Sequence, residues 1–330
     1  MNGLKSFMLI LSVVMLCCVV FVSYTYFFTV KSSGVIKVLP GDGVRSFTVN
    51  ASNVTGVGVV GEFYLKFTMR NGVRFGHYRF YNGESLLDFA QRVKSGDSEK
   101  CAFTFVPGKT IYFYKTQLMN DENFSGGVSV DVPEGGVLPE TYIHRCQTPR
   151  DKVLLYANRS MESFIGRVVT NIDMSNFYLK NINEILTLAS IVEKETGVSD
   201  ERAMVASVFK NRLKIGMRLQ TDPTVIYQES NKTGELGRAL TKEDLKVVGL
   251  YNTYMINGLP VGPISSPSME SIYAVLNPAE TDYLYFVSNG NGGHNFSTTY
   301  AEHLQFVDGY RKYFIGGSTC NTSDVCVNRR

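Results

Sequence analysis

A chain of 330 residues, 44% hydrophobic and 19% charged, is long enough for two domains and apolar enough for a packed core. That excludes a disordered chain and a small disulfide-stapled one. Its 33 Lys and Arg against 30 Asp and Glu leave a net charge of +3, too balanced for a broad basic face, so nucleic acid is disfavoured as a partner.

The chain opens with a short segment, residues 1–7, followed by an uncharged run at 8–28 that reads MLILSVVMLCCVVFVSYTYFF. About 20 apolar residues cross a bilayer as a helix, and this run supplies them. A cleaved signal peptide has an apolar region of about 7–15 residues and then small residues at its cleavage site. Here Tyr24, Tyr26, Phe27 and Phe28 stand in that place and suit an interfacial aromatic belt. The expectation is an uncleaved, single-pass anchor. Lys5 before the span and Lys31 and Lys37 after it nearly cancel as orientation signals, so the short leading segment is expected inside and the long remainder exported.

Cys17 and Cys18 fall in the apolar run, while Cys101, Cys146, Cys320 and Cys326 lie outside it. Four is an even number that could pair in an oxidising compartment, and the pairing stays open. With no CxxC and no Cys/His spacing of a zinc site, neither metal nor cofactor is expected.

Residues 34–119 read as a β-rich module. The aromatic runs at 63–69 and 77–81 are punctuated by Asn71-Gly72 and Asn82-Gly83, and further strands are expected at 103–106 and 111–114. One helix is expected at 84–94, where Leu86, Leu87, Ala90 and Val93 take helical spacing and Gly96 stops it. A linker at 120–149 carries the Gly/Pro-rich stretch 132–139. From residue 150 the period is helical, with helices expected at 153–169, 182–196, 201–213 and 298–314 and a strand at 283–287. This second domain, 150–315, ends in a polar Cys-containing tail at 316–330. The expected fold class is α+β: a small β-rich module, then a mixed α/β domain.

Catalysis needs an ionisable group in surroundings that perturb it. In the helix at 182–196 the apolar stripe is Ile185, Leu188, Ala189 and Val192. At 100° per residue, Glu195 lies about 60° from Val192 on the stripe's edge, while Glu193 lies about 100° away on the other side. The two carboxylates are therefore unlikely to share a pocket, and Glu195 is the one placed between core and cleft. Burial there raises a carboxyl pKa and yields an acid usable near neutral pH. The competing reading is a solvated EKE cluster ending a helix.

Gln220, Thr221, Asp222, Thr224 and Tyr227 crowd around Pro223, a mix of donors and acceptors suited to a sugar-binding groove. The same residues also fit a capped turn, with Pro223 at the first position of a helix. Tyr251 and Tyr254, three apart, are candidates for stacking on sugar rings or for the core. His294 follows Gly292-Gly293 in a loop. No GxSxG, HExxH, GxxxxGK[ST] or strand-embedded GxGxxG occurs.

Five words, LASIVEKETG (188–197), VFKNRLKIGMRLQTDPTVIY (208–227), YNTYMINGLPVGPISSP (251–267), NPAETDYLYFV (277–287) and GGHNF (292–296), resemble the endolytic murein transglycosylase family, the YceG-like enzymes also called MltG. The resemblance implies that Glu195, the second Glu of EKET, is catalytic. It also implies a single membrane anchor and a LysM-like module ahead of the catalytic domain, to which residues 34–119 correspond. The implied reaction cleaves the β-1,4 bond from N-acetylmuramic acid to N-acetylglucosamine in nascent glycan strands and leaves 1,6-anhydro ends. Peptidoglycan strands are the implied substrate, peptidoglycan synthases are implied partners, and the implied location is the cell inner membrane with the catalytic domain on the periplasmic side. Asn211, Gln220, Thr221, Asp222, Tyr227 and Tyr254 are the expected groove residues. The alternatives are a muramidase-type hydrolase, which needs a second carboxylate such as Asp222 or Glu193, and a non-catalytic glycan-binding scaffold.

Overall fold

The computed structural model describes residues 2–170, 172–174 and 177–314. The tail at 316–330, with Cys320 and Cys326, lies outside the described residues. The chain divides into two compact units, one comprising Met1–Phe103, Asp121–Gly127 and Ile143–Val153, the other Thr104–Asn120, Val128–Tyr142 and Leu154–Arg330. Residues 120–149, expected as a linker, are thus shared between both units instead of joining them.

In the first unit, α1 (Asn2–Phe28) covers the apolar run, and its large apolar side chains from Phe7 to Val22 that are described are each more than half exposed. Among the described residues no helix is long and apolar enough to cross a membrane. Behind α1 come β1 (Gly34–Val38), α2 (Val44–Thr55), α3 (Gly58–Thr68), β2 (Gly76–Phe80) and α4 (Leu86–Ser95). β1 and β2 pair antiparallel, Gly34 opposite Phe80 and Val38 opposite Gly76. Ile36 and Val38 alternate inward with the period of two that a half-buried strand requires, and meet Phe47, Leu65, Tyr78 and Phe89 in one core. α4 is the helix expected at 84–94: the Ser85 hydroxyl caps its start through Leu87 N, and Gly96 closes it in the left-handed region at φ 75°.

The β-rich reading of this module is corrected. The run at 63–69 forms the second half of α3 and its C-cap, Met69, because the inward residues Gly61, Leu65 and Met69 recur every four positions while Phe63 and Phe67 face out. Aromatic content suggested strands; the burial period is helical. Likewise the run at 111–114 opens a helix, α5 (Ile111–Asn120). β3 (Lys100–Thr104) and β4 (Thr141–Arg145) form a second two-stranded sheet. Cys101 and Cys146, both in the first unit, are joined in a disulfide across 45 residues of sequence.

The second unit is mostly helical. After α6 (Arg150–Val169) come α7 (Ile182–Glu195), α8 (Arg202–Lys214), α9 (Asp222–Glu229) and α10 (Met269–Leu276), then a hairpin of β5 (Tyr285–Ser288) and β6 (His294–Ser297), and α11 (Tyr300–Phe314). α7 is the central helix. Its start is fixed by Asn181, whose side chain accepts from Glu184 N at 2.9 Å, and by Glu184, whose carboxylate returns to Lys180 N at 2.7 Å. From Ile185 to Val192 it is buried on more faces than one stripe, with Leu188, Ala189, Ile191 and Val192 fully enclosed by a core that includes Val205, Phe209, Ile272 and Val275. The described elements give a mixed α+β architecture with small antiparallel sheets.

Candidate active site

Glu195 is the last residue of α7, where Thr196 turns to an extended conformation and the chain leaves the core. The Thr221 hydroxyl donates to its Oε1. Thr221 is itself almost fully buried and is pinned from behind: its N–H donates to Thr253 Oγ1 at 3.0 Å, and Thr253 Oγ1 shares a hydrogen bond with Thr224 Oγ1 at 2.9 Å. The neighbouring Gln220 N–H donates to the Thr253 carbonyl at 3.2 Å. Gln220 adopts φ 47°, a left-handed conformation uncommon outside glycine, which directs the chain into the Thr221 turn. Thr221 also stands at the N-cap position of α9, with Pro223 in the first turn, but its hydroxyl goes to Glu195 and caps no N–H, so the start of the helix and the candidate site share one turn.

On α8, Arg212 is buried beside this loop. Its Nη1 donates to Leu219 O at 2.5 Å, its Nε to Leu284 O at 2.7 Å, and its guanidinium lies 5.7 Å from the centre of the Tyr285 ring. One cation thereby ties the loop that carries Thr221 to the strand β5. On the other flank the Tyr254 hydroxyl donates to Asp222 Oδ1 at 2.6 Å.

Burial pushes the Glu195 carboxyl up from 4.5 to about 7; the Thr221 hydroxyl, Arg212 and Lys194 oppose the rise, and the charge of Asp222 adds to it. Burial and then Asp222 push the Tyr254 phenol well above its ordinary range, so it stays protonated and available as a donor. The arrangement therefore keeps one carboxyl half protonated near neutral pH, within the electrostatic reach of a second carboxyl group and a phenol. That is the equipment of a group that gives a proton and takes one back.

Of the residues expected from sequence, Glu195, Thr221, Asp222 and Tyr254 are gathered here, with Gln220 adjoining them. Asn211 and Tyr227 are engaged elsewhere. The Asn211 amide donates to the carbonyls of Thr281 at 2.7 Å and Tyr283 at 3.0 Å, holding the approach to β5. Tyr227 is buried and donates to Glu134 Oε2 at 3.1 Å, while Glu134 Oε1 accepts from Ile111 N at the start of α5. Burial raises the Glu134 carboxyl to about 7 against these bonds. Glu193 points away from Glu195: its Oε2 accepts from Ser268 N at 3.0 Å and Ser271 Oγ at 2.7 Å, and Arg202 lies 3.7 Å from its Oε1. His294 pairs through Nδ1 with Glu201 Oε2 at 2.7 Å.

Arg212 and Thr253 were not singled out from sequence. A signal for Arg212 existed, since Val205, Val208, Phe209 and Arg212 make an i, i+3, i+4, i+7 stripe that turns a cation inward. For Thr253 no local pattern marks a buried hydroxyl. Among the described residues, one group with metal-ligand atoms close together is His77, Cys101 and Cys146 in the first unit, and both of its sulfurs are consumed by the disulfide.

The profile of the YceG-like family matches residues 37–309. The chain is 28% identical to an endolytic murein transglycosylase of Bacillus subtilis in an alignment 281 residues long that covers 76% of this chain and 76% of that protein. It is 24% identical to the endolytic murein transglycosylase of Streptococcus pneumoniae over 74% of this chain and 52% of that longer protein. A crystal structure of a yceG-like protein from Listeria monocytogenes superposes with a TM-score of 0.52 at 24% identity, covering 83% of this chain and 98% of that one. A match extending over most of the chain, including both Glu195 at the end of α7 and Thr221 before α9, places this protein in the YceG-like family.

Proposed function

We propose that this chain is an endolytic murein transglycosylase, a carbon–oxygen lyase that cuts MurNAc-β-1,4-GlcNAc bonds within nascent peptidoglycan strands. The observation that carries the reading is Glu195, raised to about 7 by burial and hydrogen-bonded by Thr221, in a family whose relatives bear that name.

The chemistry follows from one carboxyl used twice. Protonated Glu195 gives its proton to the glycosidic oxygen as the bond from C1 breaks, and N-acetylglucosamine leaves with a free 4-hydroxyl. The resulting carboxylate then takes the proton of the muramyl 6-hydroxyl while that oxygen bonds to C1, closing the 1,6-anhydro ring and restoring Glu195 to its starting state. Water is not consumed. Positive charge builds at C1 in such a reaction. Asp222, held by Tyr254, supplies nearby negative potential, and Arg212 and Thr221 fix the loop that aims it. A Glu195→Gln protein that keeps its fold should lose glycan cleavage; full activity in that variant would overturn the assignment. The closeness of Asp222 also favours a second reading, a muramidase-type hydrolase, which leaves reducing ends instead.

The remaining assignments are part of the same proposal. Residues 8–28 are assigned as a single-pass anchor in the inner membrane on the uncharged apolar run of the sequence, the described part of α1 not being a span by itself. Catalysis sits on the periplasmic side, and the β1–α2–α3–β2 body of the first unit is the LysM-like module. Synthases that elongate the strands are the fitting protein partners, because this reaction terminates what they build. Protease access to the C-terminal part in cells with an opened outer barrier tests the orientation, and protection would contradict it.

A further inference from the structure

α3 is buried on one face and bare and apolar on the other. Val59 is 82% exposed, Phe63 74% and Phe67 67%, with Val60 beside them, whereas Gly61 and Leu65 are buried. At 100° per residue the four exposed residues fall within an arc of about 100°, opposite the buried pair. Two large aromatic side chains in one exposed row are more than the scattered surface leucine or valine that needs no explanation.

Three observations say what covers the row. First, the chain passes from α1 into the body of the first unit without a free linker: Val30 is fully buried, its N–H donates to Glu84 O at 2.9 Å, its carbonyl accepts from Gly83 N at 2.8 Å, and Lys31 N donates to Thr55 O at 2.8 Å. Second, the end of α1 touches α3 itself, the Phe28 ring meeting Tyr64 edge-on at 5.2 Å. On the helix Tyr64 lies about 40° from Val60, on the flank of the bare row. Third, the row has a cationic border. Lys66 and Arg70 are exposed, and the Arg70 guanidinium sits 5.6 Å from the centre of the Phe67 ring; Glu62, the single acid of α3, lies one turn before Lys66. Apolar and aromatic side chains edged by basic ones are the composition of a helix that lies in a membrane interface.

We propose that α3 rests on the outer leaflet of the membrane that α1 crosses, with Phe63 and Phe67 inserted among the lipids and Lys66 and Arg70 against anionic headgroups. This rests on the anchoring in the functional reading above. It adds that the module is held flat on the bilayer instead of being tethered above it, which confines glycan cutting to strands newly made at the membrane surface.

The chain contains no tryptophan, so a single one introduced into the full chain reports its own surroundings. The variant Phe63→Trp is reconstituted in vesicles of phosphatidylethanolamine and phosphatidylglycerol with plain or brominated acyl chains. Ile143→Trp, at a 70% exposed position of the same unit on β4, is the control. At an interfacial depth of about 5–10 Å, Phe63→Trp emission should be blue-shifted and quenched about twofold or more by brominated chains, with the control hardly quenched. Vesicle flotation of both variants is recorded alongside. A chain that floats while Phe63→Trp is quenched no more than the control overturns the proposal and leaves the anchor standing. Blue-shifted emission without quenching also overturns it, because a protein surface or a second copy then covers the row. A chain that does not float overturns the anchor, and this inference with it.

Discussion

Thr221 donates its hydroxyl to the carboxylate of Glu195 across 26 residues of sequence, and it does so from a position that is itself locked by Thr253. The bond stabilises the ionised form and so works against the burial that pushes Glu195 up to about 7. Removing it with Thr221→Val, which keeps the shape, should move the pH dependence of kcat/KM upward by roughly half a unit to one unit. Thr221→Ser should restore it. An unchanged profile in the valine variant would show that this hydroxyl does not tune the acid.

Asp222 acts in the opposite direction. Its charge raises the Glu195 pKa, and Asn at that position still accepts from Tyr254. In Asp222→Asn the alkaline limb should therefore move down, and activity at pH 7 should fall about tenfold, from a smaller protonated fraction and a lost favourable potential at C1. Activity retained at pH 7 with an unmoved limb would remove Asp222 from the site.

The raised pKa is also a statement about stability. A carboxyl lifted from 4.5 when unfolded to about 7 when folded favours the folded state fully below pH 4.5, and that contribution is lost as pH rises through about 7. Above that, the ionised, enclosed carboxylate costs on the order of 3 kcal/mol. Glu195→Gln should accordingly be more stable than the wild type at about pH 8 in urea unfolding, with the gap closing towards about pH 4. A gap that is equal at both ends would mean the carboxyl titrates normally.

The Cys101–Cys146 disulfide joins two segments of the first unit that lie 45 residues apart in sequence. Replacing both cysteines by alanine should lower that unit's stability by about 2–4 kcal/mol. Differential scanning calorimetry with and without the substitutions reads it, and an unshifted transition would contradict a stabilising role.

Most of the second unit was legible because its helices carry their own period and caps. α7 is bounded by Asn181 and by the extended Thr196, and the same wheel that separated Glu195 from Glu193 separates them in space, one on Thr221 and the other on Ser268 and Ser271. The first unit was misread where composition and period disagreed. Phe63, Tyr64 and Phe67 suggested a strand, but Leu65 and Met69 are buried four apart, and tertiary burial decided the matter. Asn211 and Tyr227 were grouped with the groove on chemistry alone. Their hydrogen bonds go to Thr281, Tyr283 and Glu134, partners as many as 93 residues distant that no local pattern announces. Thr253 was invisible for the same reason.

The most direct test is mass spectrometry of the ends released from uncrosslinked glycan strands by the full chain, wild type beside Glu195→Gln. Anhydro-muramyl ends from the wild type alone are the expected result, and they would fix both the reaction and its acid–base residue. Reducing ends from the wild type, or anhydro ends from both proteins, would contradict it.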